Sequence, residues 1–303
     1  MQAPRLAEAA QRRLADDFRG AWGLCQAVLQ ERPGDAAALS IMAICAIETG
    51  DVETGRKLLD QADQSDPNEP LAAMYRSVLL EATGDLAGAV DAARRASELA
   101  PDRFDVWGRY GDLAGQQEAF EVCAMALARA IKADPNHPAV PQVALRLAGA
   151  RMELRDLTGT SEALALAEQG GLAGSLDVLR LKSELARHVG DWTLLARTAQ
   201  AWLDLDPQDL EAMGALALGL GQQGLYKRAV RLFQTVVDAD GSAENWAAMG
   251  RLILGTRDLV GARDAFEKAL ALDSDCAEAT FGRARILTFM GDTDEAARMC
   301  RRT

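Results

Sequence analysis

The sequence predicts an all-α fold made of one repeated unit, and three observations carry that reading. Apolar residues make up 49% of the chain but aromatics only 5%, and much of the apolar share is alanine. An alanine-rich chain poor in β-branched and aromatic side chains favours helices packed closely through small residues. Pro33, Pro67, Pro101 and Pro135 then recur every 34 residues, and Pro207 follows 72 residues later, two periods plus four. Proline ends the helix before it, so regular spacing marks a regular boundary. Finally, Gly-Asp pairs stand at Gly50-Asp51, Gly84-Asp85, Gly190-Asp191 and Gly291-Asp292.

Laid out on the 34-residue period, further positions line up. Counting from Phe104, position 4 is Trp107, position 8 Gly111, position 27 Ala130 and position 32 Pro135. Counting from Ala243, Trp246, Gly250, Ala262, Phe266 and Ala269 fall at positions 4, 8, 20, 24 and 27. From Leu210, Ala217, Ala229 and Phe233 fall at 8, 20 and 24. This pattern closely resembles the tetratricopeptide repeat family over nearly the whole chain. The resemblance implies a right-handed α-solenoid of antiparallel helix pairs, A and B, with about eight and a half repeats in 303 residues. Small residues at 8, 20 and 27 let helix backbones approach, and large ones at 4 and 24 fill the space between. In each Gly-Asp pair the glycine ends helix A and the aspartate caps helix B. Arg155-Asp156 and Arg257-Asp258 keep only the capping aspartate.

In order, the repeats run 2–35, 36–69, 70–103, 104–137, 141–174, 176–209, 210–242 and 243–276, with a partial ninth over 277–303, all in one superhelix. The fifth is the least regular. It follows the insertion Pro138–Val140, carries Thr160 where a small residue is wanted, and ends in Gly170, Gly171 and Gly174. An irregular seam is expected near 138–175, as a bend or as a plain loop. In the ninth repeat Ala296 falls at 20 and Cys300 at 24, and the chain stops at 27, inside helix B. A solenoid's last apolar face needs a polar cap. The stop therefore suggests a piece of a longer protein, a frayed end being the alternative, and leaves room for self-association through the uncapped repeat.

Composition limits the partners. With 33 Lys and Arg against 45 Asp and Glu the net charge is −12, which opposes nucleic acid and anionic membranes. The charged N-terminus has no signal-peptide core, and the most apolar run, Ala36–Ile47, is too short to span a bilayer. Five scattered cysteines, no CxxC pair and two histidines argue against structural zinc and a disulfide framework. A cytoplasmic protein with reduced thiols is expected, with no cofactor and no metal. No P-loop, GxSxG, HExxH or dinucleotide fingerprint occurs. The run GLGQQG (219–224) falls at the end of a helix A, and His188 beside Arg187 reads as a groove residue. No catalysis is expected within this chain.

The resemblance further implies that helices A line a concave groove, facing it with positions 2, 5, 6, 9, 12 and 13. Those positions grade from apolar (Ile41, Ile44, Met74, Tyr75, Val78) to charged (Arg109, Asp112, Arg146, then Arg180, Glu184, Arg187), ending in Arg251, Phe281, Arg285 and Phe289. The first group is a candidate seat for the apolar face of a partner helix. The arginines are candidates for gripping its carboxylates or carbonyls. The lysine and asparagine clamp by which some such domains hold acidic chaperone tails is absent: positions 5 and 9 hold Ser40 and Ile44, then Met74 and Val78. Two functions follow: a protein-binding scaffold, or the substrate-recognition module of a larger protein-modifying enzyme, a glycosyltransferase or sulfotransferase, whose catalytic domain lies elsewhere.

Overall fold

A computed structural model describes residues 2–300, with side chains from 4 to 298, and among these residues it places eighteen α-helices and no strand. The helices form two compact units, 1–170 and 171–303. In the first, the pairs are α1 (Gln2–Leu14) with α2 (Phe18–Glu31), α3 (Ala36–Glu48) with α4 (Val52–Ser65), α5 (Pro70–Ala82) with α6 (Leu86–Leu99), α7 (Phe104–Gln116) with α8 (Phe120–Ala133), and α9 (Val140–Glu153) with α10 (Leu157–Ala167). Helix α10 runs on into a π-helical stretch, Glu168–Leu172, in which Gly171 turns left-handed at φ 95°. The second unit pairs α11 (Leu176–Val189) with α12 (Trp192–Leu205), α13 (Leu210–Gln222) with α14 (Tyr226–Ala239), α15 (Ala243–Gly255) with α16 (Leu259–Leu272), and α17 (Ala277–Met290) with α18 (Thr293–Cys300). Residues 301–303 of the ninth repeat, and the packing of Cys300, lie outside the description.

The turns work as the sequence pattern requires. Gly50, Gly84, Gly190 and Gly291 adopt φ of 73–89°, the left-handed conformation that closes a helix without a Cβ clash. Each following aspartate caps helix B: Asp51 accepts from the Thr54 N–H at 3.1 Å, Asp85 from Gly88 at 2.9 Å, Asp191 from Leu194 at 2.9 Å and Asp292 from Glu295 at 3.2 Å. Arg155 and Arg257 are forced left-handed too, at φ 59° and 67°, while Asp156 and Asp258 cap as expected. The Asp16-Asp17 turn does the same work without a glycine, Asp16 at φ 59° and Asp17 accepting from the Gly20 N–H at 2.9 Å. Pro33, Pro67, Pro101, Pro135 and Pro207 each follow directly on the C-cap of a helix B, at Arg32, Asp66, Ala100, Asp134 and Asp206.

Close helix contact follows from the small residues. A Cβ on Gly219 would come within 2.9 Å of the Ala196 backbone nitrogen, so α12 and α13 touch backbone to backbone there. Thr160 is fully buried in its small-residue slot, its hydroxyl donating to the Asp156 carbonyl at 2.8 Å, so the polar atom is satisfied locally.

Repeat 6 inverts the pattern. Leu195 stands at position 20 and Trp202 at 27, both 1% exposed, with alanine (Ala199) at 24. Large and small have exchanged places, which keeps the filled volume.

The cysteines of the first unit are core residues. Burial, with Cys45 and Asp35 adding to it, pushes the Cys25 thiol up to about 12, and burial pushes Cys45 up to about 11. Since the thiolate is the reactive form, iodoacetamide at pH 8 is expected to leave both unlabelled in the folded protein. It should label both in urea, as read by peptide mass spectrometry. Rapid labelling in the native state would contradict this burial.

Candidate functional site

The apolar candidates of the first unit are core, with two exceptions. Ile41 and Ile44 are each 1% exposed because α3 is enclosed on all sides, eleven of its thirteen residues being buried. They pack in the same cluster as Leu39, Met42 and Tyr75 and have no surface to offer a partner. Tyr75 is 4% exposed and lies under Arg13, whose guanidinium stands 5.7 Å from the ring centroid while pairing with Glu48 at 2.8 Å. Met74 and Val78 are partly buried against this cluster and keep some accessible surface. The expected apolar seat thus shrinks to those two side chains.

Arg109, Asp112 and Arg146 are brought together, but by each other and by their neighbours. Arg109 donates to Glu81 at 2.7 Å and to the Ser77 hydroxyl and carbonyl at 3.0 and 3.1 Å. Gln116 donates to the other Glu81 oxygen at 2.8 Å. Desolvation raises the Glu81 carboxyl, but these donors outweigh it and hold it below its ordinary range. Asp112 pairs with Arg146 at 3.1 Å, yet desolvation still pushes its carboxyl up against the pull of Arg146 and Arg109. The ladder staples α5, α7 and α9, and of the three candidates it leaves only Arg146 half-exposed, on the rim of a crevice of about 560 Å³ lined by Gly111 and Gly115.

The second unit differs. Arg180, Glu184 and Arg187 line a cavity of about 300 Å³ together with Trp202, Phe233 and Arg251. Arg180 lies 5.3 Å over the Trp202 ring and pairs with Glu211 at 3.0 Å. Glu184 stands 3.8 Å from His188. Arg187 is exposed, with no ion pair among the described residues. A neighbouring cavity of about 390 Å³ shares Leu218 and Arg251 and adds Tyr226, Arg257, Arg285 and Phe289. On α17, Phe281, Arg285 and Phe289 recur every four residues on one face, and the two rings are 61% and 66% exposed. Arg251 is paired with Glu278 at 2.8 Å, whereas Arg285 has no ion pair among the described residues. Tyr226 carries no signal in the repeat pattern; only its close seat against the bare Gly255 places it on the cavity wall.

These features agree with the comparisons. Two tetratricopeptide repeat models match residues 13–78 and 248–303. The chain carries tetratricopeptide repeats. Its fold is similar to that of Pseudomonas aeruginosa PilF, at 19% identity over 70% of this chain and 94% of that one, TM-score 0.56. A tetratricopeptide repeat protein from Parabacteroides merdae matches at 14% identity over 84% of this chain and 99% of that one, TM-score 0.51. No curated protein matches the chain. With these repeats and its paired helices it is a helical repeat scaffold. Among the described residues no cluster of three or more His, Cys, Asp or Glu is placed to hold a metal, and no helix is long and apolar enough to cross a membrane.

Proposed function

We propose that this tetratricopeptide protein is a non-catalytic scaffold that binds a polypeptide along the A-helix face of its second unit, from Arg180, Glu184 and Arg187 to Phe281, Arg285 and Phe289. One observation carries the reading. The Phe281 and Phe289 rings stay more than half exposed beside Arg285, which has no ion pair among the described residues, while in the first unit Ile41, Ile44 and Tyr75 are buried and Arg109 and Arg146 are ion-paired. Exposed aromatics beside arginine are the residue types that dominate protein interfaces. The free, buried thiols of Cys25, Cys45, Cys123 and Cys276 support a reducing, cytoplasmic setting.

The test is selection from a phage-displayed random peptide library, followed by affinity measurement on the variant Phe281→Asp with Phe289→Asp. Both side chains are on the surface, so folding should survive, as circular dichroism would verify. Losing two such anchors should weaken binding by about 2 kcal/mol or more, roughly 30-fold. If no peptide is enriched, or every enriched peptide binds the variant as tightly, the proposal is wrong. Should binding instead be lost on replacing Met74 and Val78 by aspartate, the first unit is the binding surface.

A further inference from the structure

The second unit gathers cations in a chain whose acidic residues are in excess. Tyr226 opens α14, and its ring is seated against Gly255, where any Cβ would overlap it. That ring lines two adjoining cavities. One, of about 390 Å³, holds Arg251, Arg257, Arg285 and Phe289. The other, of about 460 Å³, is edged by Lys227, Arg228 and Arg231 from the start of α14, with Gly255 and Thr256 opposite. Lys227, Arg228, Arg231, Arg257 and Arg285 come from three separate stretches of sequence, and none has an ion pair among the described residues. Elsewhere most arginines are satisfied within the fold: Arg76 meets Asp60 and Asp63, Arg109 meets Glu81, and Arg180 meets Glu211. On α14, Lys227 and Arg231 stand four residues apart and Arg228 and Arg231 three apart, spacings at which like charges on a helix repel. A bound anion would relieve them.

We propose that this patch recognises an acidic segment of the polypeptide partner, with the Arg257 and Arg285 guanidiniums gripping carboxylates and Phe289 taking an adjacent apolar side chain. The inference rests on the second unit's being the polypeptide-binding one, and it adds the chemistry of the ligand. Guanidinium forks match the two oxygens of a carboxylate. The larger anions are disfavoured by the setting. Nucleic acid would have to approach a chain of net charge −12, and the cavity beside the arginines is walled by Leu218, Leu252 and Phe289, which suit a side chain rather than a phosphate backbone. Arg285 stands at position 9, one of the two clamp positions, but the clamp's lysine and asparagine are absent, and the site adds Arg257 from an A-to-B turn and Lys227, Arg228 and Arg231 from a helix B.

The experiment reads the peptides enriched by the display selection and measures them against two variants, Arg257→Glu with Arg285→Glu and the milder Arg257→Gln with Arg285→Gln. A single-stranded oligonucleotide serves as a competing polyanion. Enriched peptides should carry an excess of Asp and Glu next to an apolar residue. Their binding should fall at least tenfold on charge reversal, several-fold on neutralisation, and several-fold between 50 and 300 mM salt. Peptides that bind the second unit without an acidic excess, or that bind both variants unchanged, would overturn the inference and leave the scaffold reading standing. An oligonucleotide that binds more tightly than the acidic peptides would overturn it in favour of nucleic acid. Absence of any enriched peptide sensitive to Phe281 and Phe289 would remove the scaffold reading, and this inference with it.

Discussion

Replacing Phe266 with alanine is expected to destabilise the second unit by about 3–5 kcal/mol, the range for deleting a buried phenyl ring. Phe266 is 1% exposed and is gripped by two glycines. A Cβ on Gly250 would stand 2.7 Å from its Cε1, and one on Gly282 would overlap the ring tip. The ring therefore joins α15, α16 and α17 at one point, filling space that both glycines leave open. Deletion leaves a hole that neither neighbour can fill, because neither has a side chain to move. Native-state hydrogen exchange should show amide protection in these helices falling by roughly two to four orders of magnitude. A loss below about 1 kcal/mol would mean that the helices close over the gap, and the account of Phe266 as their common joint would fail.

Trp202→Ala should cost a similar amount, about 3–5 kcal/mol, although alanine is what the repeat pattern asks for at that position. Here the local context outranks the pattern. Position 24 of the same repeat is already alanine (Ala199), so no other large side chain fills the space. The indole N–H also donates to Asp209 at 3.1 Å, the residue whose other oxygen caps α13 through the Ala212 N–H at 3.0 Å. Losing the indole therefore loosens the turn from α12 to α13 and removes the surface on which Arg180 rests. Urea unfolding followed by far-UV circular dichroism checks the magnitude. Adding Ala199→Phe, which restores the usual order of large and small, should recover part of the loss. If Trp202→Ala were neutral, the reading of repeat 6 as an inverted packing would be untenable.

Much of the local structure was legible because it depends on a few residues close in sequence. A glycine that takes positive φ, followed by an aspartate that meets an N–H three residues on, ends one helix and starts the next wherever the pair occurs. The turns at Glu118-Ala119 and Gly224-Leu225 lack the aspartate, and there α8 and α14 start without a side-chain cap. The burial of Ile41 and Ile44 had a signal too. The run Ala36–Ile47 is apolar on every side, which marks an enclosed helix rather than one with a face to spare. For Arg109 there was no such signal, since the oxygens that occupy it, on Ser77 and Glu81, lie 28–32 residues away.

What the sequence by itself determined was the period, the positions of the turns and the small residues through which the helices touch. These follow from backbone conformation and hydrogen bonds made within one repeat, so one repeat's residues suffice to specify them. Only the tertiary structure decided which groove residues stay open. It closed Ile41, Ile44 and Tyr75 into a core and spent Arg109 and Arg146 on neighbouring carboxylates. It also drew Lys227, Arg228, Arg231, Arg257 and Arg285 onto the edges of two cavities sharing one tyrosine ring. Accessibility and ion pairing depend on which helix stacks on which, and that is a property of neighbouring repeats rather than of any single one.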